Sequence, residues 1–271
     1  DTIQAIWNVR QAVSDTAQAI WHNRGTISDS LQALWHVAGP FVGGVGVFWD
    51  YYKLDTATYP WIKWGTAIPW GKWSQLEPTE GGYYWTDLET YLDHCISTGK
   101  KAILRMYFVD DGSPFYRVPS WLHINYGSAV RLELVNNPGY YIPNFQNATF
   151  KTKLSNFITA WAAWANNLSA ARKAVIIAFE MGIGASGEAL NPRSADPVWA
   201  NNGWTATMWE TYCKWYIDAF CTAFLANWKV ILLAQGWVSA GGSLDWAVRK
   251  SIYHYAAAKG SNVILSHQGN K

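Results

Sequence analysis

Two acidic residues, Glu180 and Glu188, stand eight positions apart in the run Phe179-Glu180-Met181-Gly182-Ile183-Gly184-Ala185-Ser186-Gly187-Glu188-Ala189-Leu190-Asn191-Pro192. Glycines at this density let a backbone turn sharply off a strand and come close to a ligand. A carboxyl group held there can do acid–base work if burial or a neighbouring carboxylate raises its pKa. A structural alternative stands beside that one: Glu188 caps the next element or pairs with Arg193. Asp50, Asp110 and Asp111 follow apolar runs, where binding of hydroxyl groups suits them better than nucleophilic attack. Arg105 and Tyr107 lie within one such run, and Trp49, Trp70 and Trp237 stand at the ends of others. Together they could wall a site for a ligand with hydroxyls and flat apolar faces, although each also suits a core. His123, His254 and His267 show no ligand spacing, so no metal is implied, and no cofactor motif is present.

The composition fits such a site. Of 271 residues, 50% are hydrophobic and 15% charged, enough to bury a large core. The 19 Trp, 15 Tyr and 10 Phe are unusually many. Most should fill the core, but aromatic faces also stack on sugar rings, and indole and phenol groups add polar handles. With a net charge of +2 and no basic cluster, nucleic acid is not an expected partner. No apolar run approaches the roughly 18 residues needed to span a bilayer. Cys95, Cys213 and Cys221 are an odd set without a CxxC pair, which suits buried thiols. No signal peptide is legible; Asp1 falls inside a repeat, so the start of translation is expected upstream.

The elements that must position these groups alternate. From Gly39 onward, strands are expected at 42–49, 61–69, 102–109, 174–181, 230–233 and 262–266, with helices at about 86–98, 149–166, 207–226 and 244–259. Such alternation means α/β architecture with a parallel sheet. Long polar and aromatic segments after the third and fourth strands resemble loops at the C-terminal face of a TIM-type (β/α) barrel. The first helix opens without a glycine-rich phosphate loop, which removes the dinucleotide-binding alternative. The expected fold is therefore a (β/α) barrel over residues 39–271, incomplete at about six units, whose edge strands need cover.

Residues 1–38 form a separate segment. Asp1-Thr-Ile-Gln-Ala-Ile-Trp7 recurs as Asp15-Thr-Ala-Gln-Ala-Ile-Trp21 and as Asp29-Ser-Leu-Gln-Ala-Leu-Trp35, a 14-residue repeat. Alternation at Ile3, Ala5, Trp7 and Val9 reads as β-strand. A heptad through Ile6, Val13, Ile20, Ile27 and Leu34 also fits, but Arg10, Arg24 and Gly25 interrupt that helix, so strands are preferred. A module of this kind links, anchors or assembles copies.

Two stretches resemble known families over roughly residues 60–205. Trp73-Ser-Gln-Leu-Glu77-Pro-Thr-Glu80-Gly81-Gly-Tyr-Tyr84-Trp85, with the later Pro119-Ser-Trp121-Leu122, is similar to segments of barrel β-galactosidases. In that resemblance Glu77 is structural. The Glu180–Pro192 run, with Gly203-Trp204 downstream, resembles the E-x-G-x-G-x-x-G-E-x-x-x-P segment of β-amylases. Carried over, Glu188 would be the general acid that protonates the glycosidic oxygen, with Glu180 the fallback at the strand end. Both families take the second carboxylate from a later strand than the six legible here. The resemblance implies an O-glycoside hydrolase acting on an extracellular poly- or oligosaccharide. The tandem Trp modules resemble those of surface and phage-fibre proteins, which supports the alternative of a non-catalytic carbohydrate-binding or structural protein at a cell or virion surface, assembled through the repeats.

Overall fold

The computed structural model describes residues 18–19, 35–36, 45–47, 62–67, 72–106, 108–109, 118–185, 187–233 and 235–266. Strands β1 (Gln18–Ala19) and β2 (Trp35–His36) pair antiparallel, Ala19 opposite Trp35. The rest of the repeat segment, with its strand and helix readings, lies outside the described residues.

The chain then runs through β3 (Val45–Val47), β4 (Ile62–Ala67), α1 (Trp73–Leu76), α2 (Thr86–Thr98) and β5 (Lys101–Arg105). An excursion follows: α3 (Ser120–Tyr126), a 3-10 turn at Ser128–Val130, and the hairpin β6 (Arg131–Glu133) and β7 (Tyr141–Pro143). The chain returns through α4 (Ala148–Asn167), α5 (Ala170–Val175) and β8 (Ile176–Met181). It continues through α6 (Val198–Asn201), α7 (Ala206–Phe224), β9 (Val230–Leu233), α8 (Trp246–Ala257) and β10 (Val263–Ser266).

Six of these strands make one sheet in the order β10-β9-β8-β5-β4-β3, every neighbouring pair parallel. Spatial order follows chain order throughout. A doubly wound sheet would reverse direction at a switch point; this one does not. Among the described residues β3 and β10 are not paired with each other.

Local sequence explains the long helices. α2 stops where Gly99 takes the left-handed conformation at φ 66° and the Lys100 N–H closes on the Cys95 carbonyl at 2.8 Å. Asn147, Thr205 and Asp245 begin α4, α7 and α8, each accepting the backbone N–H three residues on. Helix α4 buries Phe150, Leu154, Phe157, Ile158, Trp161 and Ala165, and α7 buries Trp209, Tyr212, Tyr216, Phe220 and Phe224. Both stripes follow the helical repeat. They meet over the sheet, where Phe179 of β8 lies edge-on to Trp161 at 5.3 Å and against Phe224 at 4.5 Å. On the opposite face Ile103, Ala178 and Ile231 form their own cluster with Ile264. The middle strands are thus apolar on both sides, as the covered strands of a parallel sheet must be.

The structure adds elements that were not expected, the short helices α1 and α6 among them. The apolar stretch from 174 opens as the end of α5, because the Ser169 hydroxyl accepts the Arg172 N–H and starts a turn of helix. The loop expected before α4 contains α3 and a hairpin. No helix among the described residues is long and apolar enough to cross a membrane.

Candidate functional site

Register brings the first two site residues together. Arg105, the last residue of β5, is paired with Glu180 on β8, and Glu180 in turn with Ile231 of β9. Ile103 and Ala178, two residues earlier on the same two strands, belong to the small apolar cluster, so Arg105 and Glu180 cap that face at the C-terminal ends. Arg105 Nε lies 2.7 Å from Glu180 Oε1, and both side chains have no exposed surface. Two charges taken out of water are tolerable only as a pair. Burial pushes the Glu180 carboxyl up to about 7; Arg105 opposes that shift, and the nearby Glu188 carboxylate adds to it.

That loop is closed by its own backbone. Ala185 N–H donates to Leu190 at 2.8 Å, Gly187 N–H to Gly184 at 3.0 Å, and Glu188 N–H to Ala185 at 2.9 Å. Two glycines are obligatory for steric reasons. A Cβ on Gly184 would lie 2.9 Å from the Glu188 carbonyl oxygen and would overlap that of Leu190. Gly187 sits at φ 84°, and a Cβ there would fall 2.6 Å from Arg105 Nε. The Arg105 guanidinium therefore packs against the residue that precedes Glu188. Glu188 is 7% exposed.

The loop is also held from outside. Ala189 N–H donates to the Leu233 carbonyl at 2.9 Å, extending β9, and Trp209 Nε1 donates to the Ala189 carbonyl. Asn191 accepts the Val238 N–H at 2.7 Å and returns its amide to the Val238 carbonyl at 3.1 Å. Trp199 Nε1 reaches the Pro192 carbonyl. Helix α6 follows Pro197 and α7 is capped by Thr205, so Glu188 caps neither. Arg193 is a non-glycine residue with positive φ, 52°.

Of the remaining expected site residues, Trp237 is half-buried in the segment after β9, edge-on to Trp199 at 5.4 Å. Trp49, Asp50, Trp70, Tyr107, Asp110 and Asp111 lie outside the described residues. Among the described residues no cluster of three or more His, Cys, Asp or Glu could hold a metal.

Glu77 is held by a different set of partners. Its carboxylate accepts the Trp73 indole N–H at 2.6 Å and the Gly81 N–H at 2.8 Å, while its carbonyl accepts the Trp121 indole at 2.9 Å. The two β-galactosidase-like segments are thereby joined through one residue.

Asn191 and Asp196 did not emerge from the sequence as site residues. Asp196 accepts the N–H groups of Val135, Asn136 and Val198, fastening the β6–β7 hairpin to the segment after Glu188. Each precedes a proline, a local turn signal, but their distant partners left no mark in the sequence.

No protein-family model matches the chain, and no curated protein sequence matches it. Similar solved structures are glycoside hydrolases. The catalytic domain of a β-amylase from Paenibacillus polymyxa is 12% identical with a TM-score of 0.57, covering 80% of this chain and 72% of that one. An intracellular xylanase of Thermoanaerobacterium saccharolyticum is 14% identical with a TM-score of 0.44, over 82% and 71%. A β-galactosidase from the psychrophilic Marinomonas ef1 is 14% identical with a TM-score of 0.49, over 84% and 40%. At these identities the likeness to the β-amylase domain is one of fold: an α/β chain with a parallel sheet, shared with a carbohydrate-cleaving enzyme.

Proposed function

We propose that this chain is a glycoside hydrolase built on a TIM-type (β/α) barrel of about six units, acting on a poly- or oligosaccharide outside the cell, with Glu188 as the general acid. The observation that carries the reading is Arg105, paired with Glu180 at the C-terminal ends of parallel strands and packed against Gly187, the residue before Glu188. That end of such a sheet is where barrel enzymes carry their chemistry. Glu188 is 7% exposed and Glu180 has no exposed surface, so of the two Glu188 is the better placed to meet a glycosidic oxygen. In this reading Glu188 carries the proton when substrate is bound and gives it to the leaving oxygen as the C–O bond breaks, while water or a second carboxylate bonds to the anomeric carbon. The Glu180–Arg105 pair beneath it holds the loop in place and sets the local charge. Asp50, Asp110 and Asp111 are the candidates for binding sugar hydroxyls or supplying the second carboxylate. The Trp repeat of residues 1–38 supports attachment at a surface or assembly of copies.

One observation favours a second reading, a non-catalytic carbohydrate-binding protein: Glu180 is fully buried and already matched by Arg105 at 2.7 Å. Hydrolysis of a panel of aryl glycosides and polysaccharides separates the two. The first reading expects turnover that falls about 10²–10⁴-fold in Glu188→Gln. Sugar binding without turnover in either protein would overturn it in favour of the second.

A further inference from the structure

Among the described tryptophans Trp246 stands apart. It is 65% exposed, while every other tryptophan from Trp73 onward is buried or half-buried. Tryptophan is among the most costly side chains to leave in water, and an isolated one is seldom held this open. Trp246 is also not loose. Arg249, one helical turn on and itself buried, sets its guanidinium carbon 4.9 Å from the centre of the Trp246 ring. One face of the indole is backed by a cation, and the exposure belongs to the remainder of the ring.

The position of that ring relative to Glu188 is fixed through a short chain of contacts. Asp245 caps α8 by accepting the Val248 N–H at 3.0 Å, and donates its own N–H to the Trp237 carbonyl at 2.7 Å. Gly236 lies against the first turn of α8 so closely that a Cβ would sit 3.0 Å from the Asp245 carbonyl oxygen. Val238 bridges to Leu244 across the same excursion, and both of its backbone groups are bonded to Asn191 of the Glu188 loop. The Trp246 platform and the Glu188 loop are therefore carried on one hydrogen-bonded unit at the C-terminal end of β9.

We propose that Trp246 is an outer binding platform for an extended carbohydrate chain, stacking on a pyranose ring that lies beyond the residue cleaved or held at Glu188. The proposal rests on the carbohydrate reading above and narrows it: the ligand is a chain of several sugars, because a platform at the rim has no use for a single one. An aromatic ring matches the flat C–H face of a pyranose, and a ring held in advance loses little freedom on binding.

Affinity electrophoresis of the whole chain through gels containing xylan, soluble starch or a β-glucan tests this directly, alongside Trp246→Ala and Trp246→Phe and an aryl monosaccharide glycoside assay. Wild type is expected to be retarded by at least one polysaccharide. Retardation should weaken about tenfold in Trp246→Ala and survive largely in Trp246→Phe, with both variants melting within a few degrees of wild type. Where a polysaccharide is also a substrate, Trp246→Ala should raise the ratio of its KM to that of the aryl glycoside. Equal retardation of wild type and Trp246→Ala overturns the proposal, as does the absence of retardation in all gels. Aryl glycoside turnover in that last case leaves the hydrolase reading standing. Trp246-dependent retardation without any turnover sinks the hydrolase reading and keeps the platform.

Discussion

Arg105 and Glu180 face each other across adjacent parallel strands, and their 2.7 Å ion pair is sealed from solvent on both sides. The pair makes stability depend on pH. Burial, reinforced by Glu188, raises the folded-state pKa of Glu180 to about 7 from an ordinary 4.5. Between those values the native chain keeps a proton that the unfolded chain has released, so the contribution is full below about 4.5 and is lost as pH rises through 7. Thermal melts from pH 5 to 8 should show stability falling by about 3 kcal/mol from this group, the value of its displacement in pKa. Glu180→Gln should flatten that slope; an unchanged slope would rule Glu180 out as its source.

Gly187 and Gly99 offer a matched comparison. Both have positive φ, but a Cβ on Gly99 would meet nothing within 4 Å, whereas one on Gly187 would strike the Arg105 guanidinium. Gly99→Ala should cost about 1 kcal/mol for the left-handed backbone alone. Gly187→Ala should cost about 2 kcal/mol more, since it strains or displaces a buried ion pair. Urea unfolding of the two variants measures the difference.

Asp196 satisfies three backbone donors with one carboxylate. Asp196→Ala removes every one of those acceptors, and about 2–3 kcal/mol of stability should go with them. The hairpin should be freed first. Limited proteolysis is expected to cut the variant within residues 131–143 under conditions that leave wild type whole.

The three thiols should be inert in the native chain. Burial pushes Cys95 and Cys221 up to about 11 and Cys213 well above its ordinary range. A thiol-reactive dye at pH 8 should label native protein negligibly and all three sites in urea. Rapid labelling of one site without denaturant would contradict the packing of α2 or α7.

Some of this was legible from the residues themselves. Helix α2 could be read because Gly99 stops it, and β9 because a short apolar run lies between turn signals. The run Ala174-Val175-Ile176-Ile177-Ala178-Phe179 is apolar throughout, so its period could not separate the last residues of α5 from the first of β8. The hairpin carried its own sign in Asn136-Asn137-Pro138-Gly139 between two short strands. At the site, Glu180 and Glu188 stood out through the glycines around them, whose steric need is local. The hold of Asn191 on Val238 and of Asp196 on Val135 spans distant parts of the chain. Such pairings are set by the packed fold and leave no periodic trace.

The unreversed strand order also bears on how the molecule assembles. Each interface in the sheet joins strands that are next to one another along the chain, so every junction closes its own loop, and no junction must wait for a distant strand to be threaded between its partners. The loop-closure cost rises with the length of intervening chain, though only slowly. Among the described interfaces that length is greatest between β5 and β8, where α3, the β6–β7 hairpin, α4 and α5 are all enclosed. Arg105 and Glu180 meet across that junction. The ion pair at the candidate site is therefore formed by the entropically most demanding closure in the sheet, and its burial marks that closure as complete.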